Sequence, residues 1–153
     1  MTRVVVTGSD GFIGKNLLEG LSHLDGVDIR CYDRNSTTSL EEIVQGVDII
    51  YHLAGINRPE NPSDFDMNVE LTRDIINTLV QLKQKPAIVF SSSAQAVLNN
   101  PYGVSKKAAE EILLKYHEKT NAPVYIYRLP GVFGKCSRPN YNTVVATFCY
   151  NIA

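Results

Sequence analysis

At 153 residues the chain has room for one domain with a sizeable core and not for two comfortable ones. Its composition, 44% hydrophobic and 20% charged, is that of an ordinary globular protein and excludes a disordered or fibrous one. A formal net charge of -1 without a basic stripe excludes an electrostatic footprint for nucleic acid or for an anionic membrane surface.

Met1 leads straight into Val4-Val5-Val6-Thr7, a β-branched run that predicts a buried strand. A charged start with an apolar stretch and a cleavage site is missing, so no secretory signal is expected. No apolar run approaches the ~20 residues of a membrane span. After a glycine-rich turn, Phe12, Leu17, Leu18 and Leu21 mark a first helix. Residues 28–32 predict a second strand ending at Asp33. Ser39 and Glu42 have capping-box spacing, and Gly46 suits a left-handed stop, so a short helix lies between them. Residues 48–53 predict strand three, which Ala54-Gly55 turns away.

Residues 64–83 show helical periodicity through Leu71, Ile75, Leu79 and Leu82, and Pro86 closes that segment. Residues 87–90 predict strand four, running into Ser91-Ser92-Ser93. Asn100-Pro101 supplies a cap and a first-turn proline for a helix to about Lys119. Residues 124–128 predict strand five, and no further strand is expected in 131–153. Alternating strands and helices imply a doubly wound parallel α/β sheet. The short second crossover leaves no room for another strand, which gives the order 2-1-3-4-5. A cofactor crevice is then expected at the switch between strands 1 and 3.

Three groups of residues carry chemistry. Gly8, Gly11 and Gly14 form a GxxGxxG turn between strand one and helix one, with Phe12 and Ile13 opening the helix. That turn lets a pyrophosphate approach the backbone amides and the positive end of the helix. Asp33 ends strand two, where an acid accepts from an adenosine ribose and points to NAD; Arg34 beside it can grip a 2′-phosphate and points to NADP. The residues leave both open. Tyr102 and Lys106 share a helix face at i and i+4, and Ser93 sits at the carboxyl end of strand four. An ammonium close to the phenol is expected to lower its pKa and make it a proton donor to a carbonyl oxygen.

Other polar residues are weaker candidates. His52, inside an apolar strand, reads as a satisfied core histidine, and Asn68 either as a bond to strand backbone near the site or as a plain surface residue. Cys31, Cys136 and Cys149 show no paired or metal-ligand spacing and are expected as free, packed thiols, with no metal site.

The ordered set TGSDGFIG, DIIYHLAG, FSSSAQ and PYGVSK resembles the extended short-chain dehydrogenase/reductase family over nearly the whole chain. HLAGINRPE, SSSAQAVLNNPYGVSKKAAEE and YRLPGVFGKCSRPNYNTVVATFCYNIA narrow the resemblance to bifunctional capsular-polysaccharide reductase/epimerases, and so does the short interval from Ser93 to Tyr102. The resemblance implies a Rossmann-type domain over 1–153, cut short before the substrate-binding part and a carboxyl-terminal cupin domain. It implies NADP(H), with NAD(H) possible, a UDP-linked 4-keto-6-deoxy sugar as substrate, a homodimer and a cytoplasmic setting. By matched position it makes Ser93, Tyr102 and Lys106 catalytic. It places Leu53, Ala54 and Gly55 along the cofactor, and Arg128 and Pro130 where nicotinamide and sugar meet. Gly131 departs from the Asn common in the family. Two other readings compete: an epimerase or dehydratase that retains its NAD, and a non-catalytic dinucleotide sensor.

Overall fold

The structure, a computed structural model, describes residues 1–152; Ala153, the last residue of the expected domain, lies outside them. Five strands, Thr2–Thr7 (β1), Val27–Tyr32 (β2), Ile49–His52 (β3), Ala87–Ser93 (β4) and Val124–Leu129 (β5), form one parallel sheet in the order β2-β1-β3-β4-β5. The helices are Phe12–Ser22 (α1), Leu40–Val44 (α2), Asp66–Gln81 (α3), Pro101–Thr120 (α4) and Val144–Ile152 (α5). A 3-10 turn precedes α3, and another, Ala94–Val97, follows β4.

Strand alternation sends successive side chains to opposite faces. Val5, Ile50, Ile88 and Phe90 pack with Ile43 of α2, Ile75 and Leu79 of α3, and Ala109 and Leu113 of α4. Val4 and Val6 pack on the other face with Leu17, Leu18 and Leu21 of α1. Each such fully buried aliphatic side chain contributes roughly 1.5–3 kcal/mol. Helices therefore lie on both faces of the sheet, as in a doubly wound fold, although on the α1 face Tyr125 and Tyr127 of β5 stay exposed.

Helix ends follow the sequence signals closely. Ser39 accepts from the Glu42 amide at 3.2 Å, and Gly46 turns left-handed at φ +66°. Asn100 accepts from the Gly103 amide at 2.8 Å, with Pro101 at the first turn of α4. That helix stops at Asn121, whose φ is +57°. Three features differ from expectation. β4 keeps pairing through Ser93, because the serine hydroxyls find partners inside the fold. The segment after residue 131 contains α5, which periodicity does not announce. The three cysteines are free but exposed rather than packed, since each falls on an edge strand or on the carboxyl-terminal segment. No helix among the described residues is long and apolar enough to cross a membrane.

Candidate active site

β1 leaves the sheet through Gly8, whose φ is +72°. Its α-carbon approaches the chain after β3 so closely that a side chain there would lie 2.7 Å from the Ala54 backbone. A Cβ on Gly14 would collide with the Gly8 carbonyl oxygen and stand 2.7 Å from Ser9 Cα. Over Gly11, by contrast, only the Gly8 carbonyl oxygen lies near, at 3.1 Å. The N-terminus of α1 has no side-chain cap and no acid in its first turn, so its free amides face open space. This cradle, which a side chain would fill, fits a dinucleotide pyrophosphate.

Two cavities meet at Gly55 on this rim of the sheet. The smaller, about 480 Å³, is bordered by Gly8, Asp33, Arg34 and Ala54, and it carries four carboxylates: Asp10, Asp33, Glu70 and Asp74. Asp33 is fixed there by the hydroxyl of buried Ser9, which donates to its carboxylate. The larger, about 910 Å³, is bordered by Phe12, Ile13, Leu53, Ser93, Tyr102, Lys106 and Pro130. The predicted catalytic set thus opens into one cavity, and the predicted adenosine contacts into its neighbour.

Ser93 is 8% exposed, and its Oγ accepts from the Gln95 amide at 3.1 Å, so its own proton is left to donate. Tyr102 packs on Phe65, the ring centroids 5.7 Å apart. Burial raises the phenol above its ordinary pKa, and the hydrogen bond with Ser93 pulls the other way. The expected lowering by Lys106 is not what holds this phenol. The Lys106 ammonium donates instead to the Ser91 carbonyl at 2.9 Å and lies 4.8 Å from the centre of the Phe90 ring. Burial brings Lys106 down to about 8, against the opposing pull of Glu110.

Glu110, one turn beyond Lys106 on α4, is a buried acid behind the cavity wall that the sequence reading missed. It is 3% exposed and accepts from the Ser92 hydroxyl and from Arg128. Its i+4 spacing from Lys106 was the available signal. Arg128, expected beside nicotinamide and sugar, is not on the cavity wall; strand alternation turns it toward α4, while Leu129 and Pro130 reach the cavity. His52 is a core residue between Thr7 and Thr72, each 2.9 Å from a ring nitrogen. Burial first, and the Lys106 charge second, push its pKa down to about 3. Asn68 is buried and clamps the loop after β3: it accepts from the Ile56 amide at 2.7 Å and donates to the Ile56 carbonyl at 2.9 Å.

Residues 4–153 match the sequence profile of the NAD dependent epimerase/dehydratase family. The chain belongs to this family. Among its curated relatives is the UDP-2-acetamido-2,6-beta-L-arabino-hexul-4-ose reductase of Pseudomonas aeruginosa, 47% identical over 152 residues. That match covers 98% of this chain and 41% of the relative. The capsular polysaccharide assembling protein CapF from Staphylococcus aureus superposes with a TM-score of 0.84 at 44% identity, over 97% of this chain and 41% of that one. The chain therefore spans about two fifths of the length of these relatives. A UDP-glucuronic acid 4-epimerase from Bacillus cereus in complex with NAD shares the fold, with a TM-score of 0.80 at 20% identity over 92% of this chain and 60% of that one.

Proposed function

We propose that the chain is the dinucleotide-binding and proton-donating part of an NAD(P)H-dependent reductase, which converts the C4 ketone of a UDP-linked 4-keto-6-deoxy amino sugar to an alcohol. The observation that carries this reading is the opening of Ser93, Tyr102 and Lys106 into one cavity that meets the glycine-turn lobe at Gly55. The likeness to a named UDP-sugar reductase at 47% identity supports the substrate class. We further infer a cytoplasmic homodimer that prefers NADP(H); Arg34, bordering the smaller cavity, supports the cofactor choice as a contact for a 2′-phosphate.

The dinucleotide, when bound along Gly8, Gly11, Gly14 and Asp33, supplies the hydride. The protein supplies the proton and its placement. Ser93 donates its hydroxyl hydrogen to the carbonyl oxygen and polarises it. Tyr102, kept protonated by burial, gives its phenolic proton to the same oxygen as negative charge develops there. Lys106, cationic below about pH 8 and held on the Ser91 carbonyl, supplies positive charge to the same cavity as the phenolate forms.

Tyr102→Phe should lower keto-sugar reduction by about 10²–10⁴-fold while leaving NADPH affinity unchanged. Wild-type turnover in that variant would overturn the assignment. The family's epimerases and dehydratases give a second reading, in which NAD is retained through the cycle. Consumption of one NAD(P)H per sugar separates the reductase from it.

A further inference from the structure

Charge divides the two cavities sharply. Four carboxylates border the smaller one, whereas no Asp or Glu borders the larger one, whose only cations among the described residues are Lys106 and Arg58. Lys106 is 4% exposed and already engaged by the Ser91 carbonyl. Arg58 is exposed, and no carboxylate lies within salt-bridge distance of it among the described residues. Its guanidinium is nevertheless held in place, with its carbon 5.3 Å from the centre of the Tyr141 ring. The Tyr141 hydroxyl donates to Asn57 Oδ1 at 2.8 Å, so the loop after β3 and the carboxyl-terminal segment are fastened together beside the arginine. The same segment is tied to α1 where Asn16 donates to the Lys135 carbonyl at 2.8 Å.

We propose that Arg58, braced by Tyr141, binds the diphosphate of a nucleoside-diphosphate substrate on the wall of the larger cavity. This deepens the reductase reading and rests on it for the site's chemistry. A planar guanidinium with free donors matches phosphate oxygens in pairs, and stacking on a ring keeps it oriented before the ligand arrives. The pyrophosphate of the dinucleotide has its own cradle at the glycine turn, whose Phe12 and Ile13 also border the larger cavity, whereas Arg58 stands on the loop after β3 beside Tyr141. An anion held by Arg58 in addition to that cradle belongs to the second ligand, and the NADPH affinity of an Arg58 variant separates it from the dinucleotide's own phosphates. Neutral donors and acceptors on the same wall, Asn57, Asn142 and Thr143, suit the hydroxyls of a sugar rather than further charge.

The test is calorimetric titration of the 153-residue chain with UDP, uridine and NADPH. UDP should bind more tightly than uridine. Arg58→Ala should weaken UDP about 10–100-fold, the range for losing a hydrogen bond to a charged group, and leave uridine and NADPH unchanged. Tyr141→Phe keeps the ring and should cost little, whereas Tyr141→Ala should weaken UDP without affecting NADPH. Arg138→Ala, an exposed arginine away from the cavity wall, should do nothing. The proposal fails if wild-type protein binds NADPH but prefers uridine or shows no difference, if Arg58→Ala keeps wild-type UDP affinity, or if it loses NADPH as well. Failure of the wild-type chain to bind NADPH overturns the underlying reading instead.

Discussion

Glu110 takes Arg128 in a two-pronged grip, Nε to Oε1 at 3.0 Å and Nη2 to Oε2 at 2.6 Å, and by doing so ties β5 to the helix that carries Tyr102 and Lys106. Burial disfavours the Glu110 carboxylate, but the hydrogen bonds from Arg128 and Ser92, and then the charges of Arg128 and Lys106, outweigh that and hold its pKa below the ordinary value. A carboxyl with a depressed folded pKa stabilises the fold above its unfolded value, near 4.5, and loses that contribution as pH falls through the folded one.

Glu110→Gln should therefore flatten the acid limb of the stability profile and cost at least about 1 kcal/mol at neutral pH, because the amide keeps one acceptor oxygen for the donors of Arg128 and Ser92. It should also shift the titration of Lys106, which Glu110 raises, to lower pH. Chemical-shift titration of a labelled Lys106 Nζ reads this second effect. An unmoved titration would show that Glu110 only props the helix.

His52 titrates in the same acid range for the opposite chemical reason. Folding lowers its pKa from 6.5 to about 3, so between these values the unfolded chain binds the extra proton and stability falls with pH. His52→Gln keeps a group able to bond Thr7 and Thr72 but removes this proton uptake. Urea midpoints from pH 7 to 4 should fall less steeply in the variant. A slope equal to wild type would mean that His52 does not account for the acid lability.

Two glycines of α1 should respond in opposite directions to alanine. At Gly14 the new methyl collides with the Gly8 carbonyl, which predicts a loss of about 1–3 kcal/mol and of measurable NADPH binding. At Gly20 nothing lies within 4 Å, and replacing an interior helical glycine should add about 0.5–1 kcal/mol. Thermal melts with and without dinucleotide check both. NADPH binding that survives Gly14→Ala would remove the pyrophosphate from this turn.

Cofactor choice should turn on two adjacent residues bordering the smaller cavity. Arg34→Ala should weaken NADPH about tenfold and leave NADH alone, because it removes one charged contact to the 2′-phosphate. Asp33→Ser should weaken NADH and spare NADPH. If Arg34→Ala binds NADPH as wild type does, the preference for NADP(H) loses its residue.

The sheet order, the caps at Ser39 and Asn100, and the glycine turn were legible because each depends on residues close together in sequence. What was hidden depends on which way a side chain points. Arg128 and Leu129 are neighbours on one strand, yet only the second faces the cavity, and a sequence without the sheet around it does not say which. The phenol of Tyr102 illustrates a different limit. Its spacing to Lys106 is visible, whereas the burial that raises its pKa and the Ser91 carbonyl that takes the ammonium belong to the folded rim alone. α5 escaped notice because Val144, Phe148, Tyr150 and Ile152 leave large apolar groups in solvent, so no polar face alternates with an apolar one.

β5 closes one side of the sheet, and among the described residues nothing pairs with its outer margin. Its backbone donors and acceptors on that side form a ladder with rungs free, beside Tyr125 and Tyr127, which are 53% and 56% exposed. Such a margin recruits any extended peptide that reaches it, including the same strand of another molecule. Edge-to-edge association of chains is the contact such a margin favours, and a charged residue in place of the exposed Tyr127 would oppose it.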